Sequence, residues 1–381
     1  MRERVRSFLD AAEADGLFRR GGSAMGSGSH RPEFSQRCGE AGLIGMTWPK
    51  AMGGHGLSFL ERYVVTEEML AAGAPVRAHW VADRQSGPLL IRYGQPAVRD
   101  RVLPAIVRGE CYFCIGMSEP DSGSDLFSLR STARPTDGGW SVNGRKLWTS
   151  NAHCSHYMIA LLRTSPPEKD NRRHGLTQFL VDMDSPGITV RPVRNLTGGH
   201  DFNEVTFDDV LVPSEHVIGK VDEAWKQATS ELAYERSGPE RFLETIYLLF
   251  ALVEAAGADP DPRVADGIGR LVAELATLRE MSMSVAGMLE AGAVPNVEAA
   301  LVKDLGTNWE QALPARVREL LPERLGELAL TGTNGGKHGA GQRTDLEAML
   351  GYATLIAPKL TIQGGTREIL RGIIARGLGM R

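Results

Sequence analysis

Apolar positions in the first third of the chain come in helical clusters, such as Tyr63, Val64 and Val65 followed by Met69 and Leu70, with Gly and Pro breaks between them. This spacing predicts a helical segment over residues 1–112. Within it, the Gly- and Ser-rich stretch Arg19–Arg31 carries too little apolar surface to order itself and reads as a flexible loop. From about residue 113 the pattern changes to compact apolar runs, Tyr157–Leu162 and Thr177–Val181, bounded by turn residues. Turns are expected at Asp137-Gly138-Gly139, Asn143-Gly144 and Asp184-Ser185-Pro186-Gly187, where Gly supplies positive φ and Pro presets the bend, and Ser165–His174 reads as a surface loop. The stretch 113–215 is therefore expected to be a β domain. After Val212-Pro213 the helical spacing returns over 216–381: Leu243, Ile246, Phe250 and Val253, then Ile268, Leu271, Leu275 and Leu278. Gly257–Arg263 separates these two helices, and Thr331–Gly341 is a second Gly-rich loop.

The chain has 381 residues, enough for two or three domains and a core able to enclose a cofactor. Its 43 basic and 47 acidic residues give a net charge of −4 with no basic stripe, which argues against a nucleic-acid partner. The longest apolar run, Ile246–Val253, is far short of the ~20 residues a membrane helix needs, so no membrane association and a cytoplasmic location are expected. Four cysteines, Cys38, Cys111, Cys114 and Cys154, are too few for a secreted disulfide framework. Cys111 and Cys114 have redox or zinc spacing, but no second pair accompanies them and a strand would turn them to opposite faces, so buried structural thiols are expected and no metal site. A nucleophile elbow, a dinucleotide fingerprint after a strand and a P-loop are all absent; Gly336-Lys337 is followed by His338.

Three segments carry the chemistry: Ile115-Gly116-Met117-Ser118-Glu119-Pro120-Asp121-Ser122-Gly123-Ser124-Asp125, Lys146-Leu147-Trp148-Thr149-Ser150-Asn151 and Ile362-Gln363-Gly364-Gly365-Thr366-Arg367-Glu368-Ile369. In this order, and with Trp48-Pro49, Gly53-Gly54-His55-Gly56 and Val212-Pro213, the sequence resembles the acyl-CoA dehydrogenase family along nearly its whole length. The resemblance implies a mainly α fold with a central β domain: an N-terminal helical domain, a middle β-barrel or sandwich and a C-terminal four-helix bundle. It also implies bound FAD and α,β-dehydrogenation of an acyl thioester, with electrons passed to an electron-transferring flavoprotein. A reduced flavin ring gains charge that fixed N–H and O–H donors stabilise. Met117, Ser118 and Ser150 match the family's ring-contacting positions, Trp148 offers a flat face beside the ring, and Ile115, Gly123 and Ser124 are expected to bind the cofactor with them. Ser124 also matches the position touching the pantetheine arm. Thr366 can cap a helix through Ile374 and leave N–H groups for phosphate or ribose oxygens; it and Glu368 match positions at FAD.

At the base this sequence departs from the best-known members, which carry glutamate where Gly364 stands. The resemblance then points to Glu235, in Ala233-Tyr234-Glu235-Arg236, a position that carries the base in a minority of the family. Gly364 keeps a backbone N–H to polarise the thioester carbonyl while Glu235 takes the α-proton, and Arg236 lies at a family arginine near the site. An ion-paired Glu235, with Arg236 or Arg241, is the alternative. The family's interface segment is missing around Asp261–Asp266, and its later Gln-x-x-Gly-Gly is missing near Thr331–Gly336. Similar losses occur in bacterial subfamilies acting on sterol side chains, some of them mixed tetramers, so a homo- or heterotetramer with a related subunit is expected. Two other functions stay open: a weakly active or noncatalytic partner subunit, and a flavin oxidase or monooxygenase on the same fold.

Overall fold

The computed structural model describes residues 1–21, 28–225, 227, 236–321 and 345–380. The first helices are α1 (Arg2–Ala14), α2 (Pro32–Glu40), α3 (Phe59–Ala72), α4 (Arg77–Val81), α5 (Gly87–Tyr93) and α6 (Pro96–Val107), with a π-helical turn, Ala82–Ser86, joining α4 to α5. α3 starts where Ser58 and Glu61 form a reciprocal capping box and stops at left-handed Gly73. The apolar faces of these helices close around Leu9, Phe34, Ile44, Trp48, Met69 and Ile106. Of the expected loop Arg19–Arg31, residues 22–27 lie outside the described residues.

Eight strands follow: β1 (Phe113–Gly116), β2 (Thr132–Thr136), β3 (Gly139–Ser150), β4 (Tyr157–Arg163), β5 (Leu176–Asp182), β6 (Ile188–Val193), β7 (Phe202–Pro213) and β8 (Val217–Ile218). Their order is β6-β7-β3-β2-β4-β5-β8, with β1 parallel to β4. β2 and β4 share only the pair Thr132 and Arg163, so the sheet folds there and its two halves bury Val142, Met158, Phe179, Val205 and Val212 between them. The expectation of a barrel is corrected: among the described residues β6 and β8, the two ends of the order, do not pair, and the sheet stays open.

Asn143-Gly144 is likewise not a turn. It lies inside β3 at a register shift against β7, where the Asn143 amide donates to Asp209 Oδ1 (2.7 Å) and accepts the Asp209 N–H (3.0 Å). Gly144 sits so close to Ser131 that a Cβ would collide with it, so the glycine serves a bulge. The expectation for Cys111 and Cys114 holds: both are buried free thiols, Cys111 in the N-terminal core and Cys114 inside the folded sheet.

The C-terminal helices are α7 (Ile246–Ala256), α8 (Pro262–Glu290), α9 (Asn296–Leu320), α10 (Asp345–Leu360) and α11 (Arg367–Gly377). The described residues thus hold five helices here, where a four-helix bundle was expected; the short α11 packs on α9. Leu252, Leu271, Leu278, Val302, Trp309, Leu313 and Leu350 form their core. The stripe read through Phe250 and Val253 is corrected: both are nearly half exposed, while Ile246, Leu248, Leu249 and Leu252 face inward. α7 is apolar all round, so periodicity alone could not choose its buried face. The loop Thr331–Gly341 lies outside the described residues.

Glu310 on α9 is buried against the end of this core and accepts the Thr245 N–H (3.1 Å). Burial, and then the nearby Glu244, push its carboxyl from 4.5 up to about 8. Between those two pH values the folded chain holds a proton that the unfolded chain has released, so stability falls as pH rises through the window. Glu310→Gln should remove this decline. Denaturant titrations from pH 5 to 9 should show the variant gaining on the order of 3 kcal/mol relative to wild type, and parallel profiles would exclude the effect.

Candidate functional site

The loop between β1 and β2 is built around a buried ion pair. Lys146 of β3 is completely enclosed and spends its three protons on Glu119 Oε1 (2.8 Å), the Leu161 carbonyl (2.7 Å) and the Met117 carbonyl (3.2 Å). Glu119 also accepts the N–H groups of Arg130 (2.6 Å) and Ser131 (3.0 Å). Burial alone would raise the Glu119 carboxyl, but Lys146 and these donors outweigh it and hold the group below its ordinary range. Burial in turn lowers Lys146, with Glu119 opposing. The pair anchors both ends of a loop that is tightened by Glu119 and Ser122 exchanging backbone hydrogen bonds and by the Ser122 hydroxyl donating to the Asp125 carbonyl (2.7 Å).

What the loop displays is small and polar. Met117 and Ser118 are half-buried, and Gly123 and Ser124 are exposed at its tip. Nothing lies within 4 Å of a Cβ placed on Gly123, so the protein itself makes no steric demand for glycine there. Ile115 is part-buried against the N-terminal core.

The Ser118 carbonyl accepts the Leu147 N–H (2.9 Å), which ties the loop to β3 beside a second register shift, between Lys146 and Thr149. Trp148 sits in that shift with φ +62°, rare for a bulky residue and worth about 1–3 kcal/mol of local strain, and its side chain is 53 % exposed. The strain turns a large ring out of the sheet, edge-on to Phe202 with centroids 6.0 Å apart. Ser150 closes β3 opposite Phe202, and left-handed Asn151 donates its N–H to the Asp201 carbonyl (2.8 Å). Asp201 joins the three parts of the chain: Arg77 of α4 reaches it at 2.9 Å and Lys359 of α10 at 3.8 Å, with the Lys359 ammonium 5.7 Å from the Phe202 ring centre.

A few residues beyond Lys359 the chain turns through Gly364 and Gly365, at φ +65° and +105°, before α11. Both glycines sit at positive φ, which glycine adopts without strain, and a Cβ on Gly365 would press on the Arg236 guanidinium at 3.2 Å. Arg236 Nε donates to the Gly364 carbonyl (3.0 Å) and the buried Lys303 ammonium donates to the Gly365 carbonyl (2.9 Å). Thr366 then caps α11, its hydroxyl accepting the Ile369 N–H (3.5 Å), and Asp304 of α9 fastens the first turns by binding Arg367 (2.8 Å) and Arg371 (3.4 Å). Exposed Glu368 is held below the usual carboxylate range by its own N–H and the Thr366 hydroxyl, aided by the flanking arginines.

The structure therefore gathers the named residues into two clusters, joined by Phe202 and Lys359. Met117, Ser118, Trp148 and Ser150 share the sheet side, whereas Arg236, Gly364, Thr366 and Glu368 share the helix side. Glu235 lies outside the described residues. Sequence reasoning missed the supports, Glu119, Lys146, Asp201, Lys303 and Asp304. A lysine flanked by Arg145 and Leu147 in a strand was the one visible sign, and its partner lies 27 positions away.

The acyl-CoA dehydrogenase N-terminal domain model matches residues 1–110, and that family's middle domain matches residues 114–210. The chain is 34 % identical over 360 residues to acyl-CoA dehydrogenase IpdE1 of Mycobacterium tuberculosis (strain ATCC 25618 / H37Rv), covering 92 % of this chain and 88 % of that protein. It is 33 % identical over 378 residues to acyl-CoA dehydrogenase FadE34 of the same organism, covering 98 % of this chain and 50 % of the relative, so it spans half that protein's length. Among solved structures, the Tcur3481-Tcur3483 steroid ACAD superposes with a TM-score of 0.84 at 26 % identity, covering 100 % of this chain and 96 % of that one. With a helical–sheet–helical order and a Gly-Gly-Thr turn poised at a helix start, the chain belongs to the acyl-CoA dehydrogenase family of oxidoreductases.

Proposed function

We propose that this protein carries out FAD-dependent α,β-dehydrogenation of an acyl-CoA thioester and passes the electrons to an electron-transferring flavoprotein. The observation that carries this reading is the strained, outward-facing Trp148 beside a loop of free-standing Ser and Gly residues, linked through Phe202 and Lys359 to the Gly364-Gly365-Thr366 turn. These residues fit FAD: a flat ring face, hydroxyl donors, open space at Gly123 and a capped helix start for anionic oxygens. Bound FAD would supply the two-electron acceptor. Ile115, Met117, Ser118, Gly123, Trp148 and Ser150 would hold its ring side, and Thr366 with Glu368 its ribose and phosphate side. Ser124 positions the pantetheine arm, the Gly364 N–H polarises the thioester carbonyl, and Glu235 removes the α-proton as the β-hydrogen leaves as hydride. Arg236, bonded to the Gly364 carbonyl, fixes the turn that carries this N–H.

We place the units at 1–112, 113–215 and 216–381, and the assembly as a homo- or heterotetramer. The two-component name Tcur3481-Tcur3483 favours pairing with a related subunit, as does exposure of Phe250, Val253, Leu305 and Ile369 in the single chain. The substrate is proposed to be bulky or branched.

Absorbance tests the whole reading. The purified protein, alone or with its related subunit, should show a flavin band that bleaches anaerobically on adding acyl-CoA. A chain that binds no flavin alone but completes a yellow heteromer is a partner subunit, and oxygen uptake without added acceptor marks an oxidase. A colourless protein in both preparations would remove the proposal.

A further inference from the structure

A cavity of about 40 Å³ lies among α3, α8 and the segment Ser237–Pro239, which follows Arg236 directly in the chain. By volume it holds roughly three water-sized groups, enough for a carboxylate and too small for a ring system. Its walls are mixed: Phe59, Pro239, Ala286 and Leu289 are apolar, while Tyr63, Thr66 and Ser282 add hydroxyls. Two cations, Arg62 and Arg84, line it, and among the described residues no carboxylate does.

The carboxylates nearby are committed elsewhere. Glu240 forms a buried ion pair with Arg84, Asp83 accepts the Gly45 N–H (2.7 Å), and Glu67 is taken by Arg2 and Arg279. Arg84 stacks its guanidinium 4.3 Å above the Trp80 ring, and its buried Nε and Nη1 have no hydrogen-bond partner. The Arg62 guanidinium has neither a hydrogen bond nor an ion pair among the described residues. Burial, with Arg84 beside it, pulls its guanidinium down to about 10, so it is still charged at neutral pH. Arg62 is part-buried, and a guanidinium partly withdrawn from water without a side-chain partner gains from a ligand that supplies the countercharge. The cavity is also tied to the proposed reacting turn by one hydrogen bond and a short stretch of chain, since Arg236 holds the Gly364 carbonyl and the next three residues form the wall.

From this geometry we infer that the cavity receives an anionic terminus of the acyl group, a carboxylate at the end remote from the thioester, held by Arg62 with Arg84 behind it. The inference rests on the acyl-thioester reading and narrows it to one substrate class. It also gives Arg62 a specificity role separate from the chemistry at Gly364.

The test compares adipoyl-, suberoyl- and sebacoyl-CoA with hexanoyl-, octanoyl- and decanoyl-CoA on the flavin-loaded protein in its native assembly, reading Kd by calorimetry and, separately, flavin bleaching. Wild type should bind the carboxyl-terminated member at least ten-fold more tightly at one or more chain lengths. Arg62→Met should bring that ratio close to one, and Arg62→Lys should keep part of it. Because Arg62 has no partner to orphan, Arg62→Met should melt no lower than wild type. Ratios near one at every length in wild type, or an undiminished ratio in Arg62→Met, would overturn the inference. A clear preference without bleaching would retain the anion site and remove the dehydrogenation reading; bleaching without a preference would do the reverse.

Discussion

Glu235→Gln should lower dye-coupled turnover by at least about two orders of magnitude while leaving bound flavin unchanged. The size follows from the chemistry. An α-proton of a thioester is a weak acid, and a positioned carboxylate lowers the barrier both by accepting the proton and by being held at the carbon it attacks. Gln keeps the length and polarity of the side chain and loses only the basic oxygen. Gly364, where the best-known members of the family carry the acid, has no side chain to substitute, and its φ of +65° is one that glycine adopts without strain. The flavin contacts proposed above come from other residues, so cofactor content separates a chemical defect from a folding defect. Rates within two-fold of wild type would take Glu235 out of the mechanism.

Lys146→Met should destabilise the fold by about 3–5 kcal/mol and release flavin. Both members of the Lys146–Glu119 pair are buried, and removing the ammonium leaves a carboxylate enclosed with only the Arg130 and Ser131 N–H groups and the Ser131 side chain. The pair also fixes the Met117 carbonyl and the loop ends, so the surface offered to the ring should loosen with it. The sign of the pH dependence is set by Glu119. Its folded pKa lies below 4.5, so its contribution is present above the unfolded value and is lost as pH falls through the folded one. Without Lys146 burial dominates and the carboxyl rises, so the sign reverses: the deficit of Lys146→Met should shrink as pH falls and the stranded carboxylate takes up a proton. Denaturant midpoints from pH 3 to 8, with flavin content, measure both effects. Adding Glu119→Gln to Lys146→Met should recover part of the stability, because it removes the stranded charge. An unchanged midpoint with full flavin would contradict the role given to the pair.

Much of the architecture was legible because it depends on short-range rules. The switch from helical clusters to compact runs near 113, and back after Val212-Pro213, reports which face of each element is apolar, and that face is buried by whatever neighbour it finds. The same reasoning failed where local pattern has more than one solution. Asn143-Gly144 has the chemistry of a hairpin turn, yet the Asn143 amide found Asp209 on β7 and the pair became a bulge in a long strand. α7 is apolar on every side, so its outward residues Phe250 and Val253 could not be told from its core.

The sequence by itself determined the order of helical and sheet segments, the family resemblance and the residue types able to hold an anion or a flat ring, because these follow from periodicity and from side-chain chemistry at adjacent positions. Tertiary structure alone decided that Lys146 neutralises Glu119, that Asp201 receives Arg77 and Lys359, that Arg236 holds a carbonyl 128 positions away and that Arg62 faces a cavity without a partner. Charge pairing in a core is set by distance through space and by exclusion of water. Neither quantity can be read from separation along the chain.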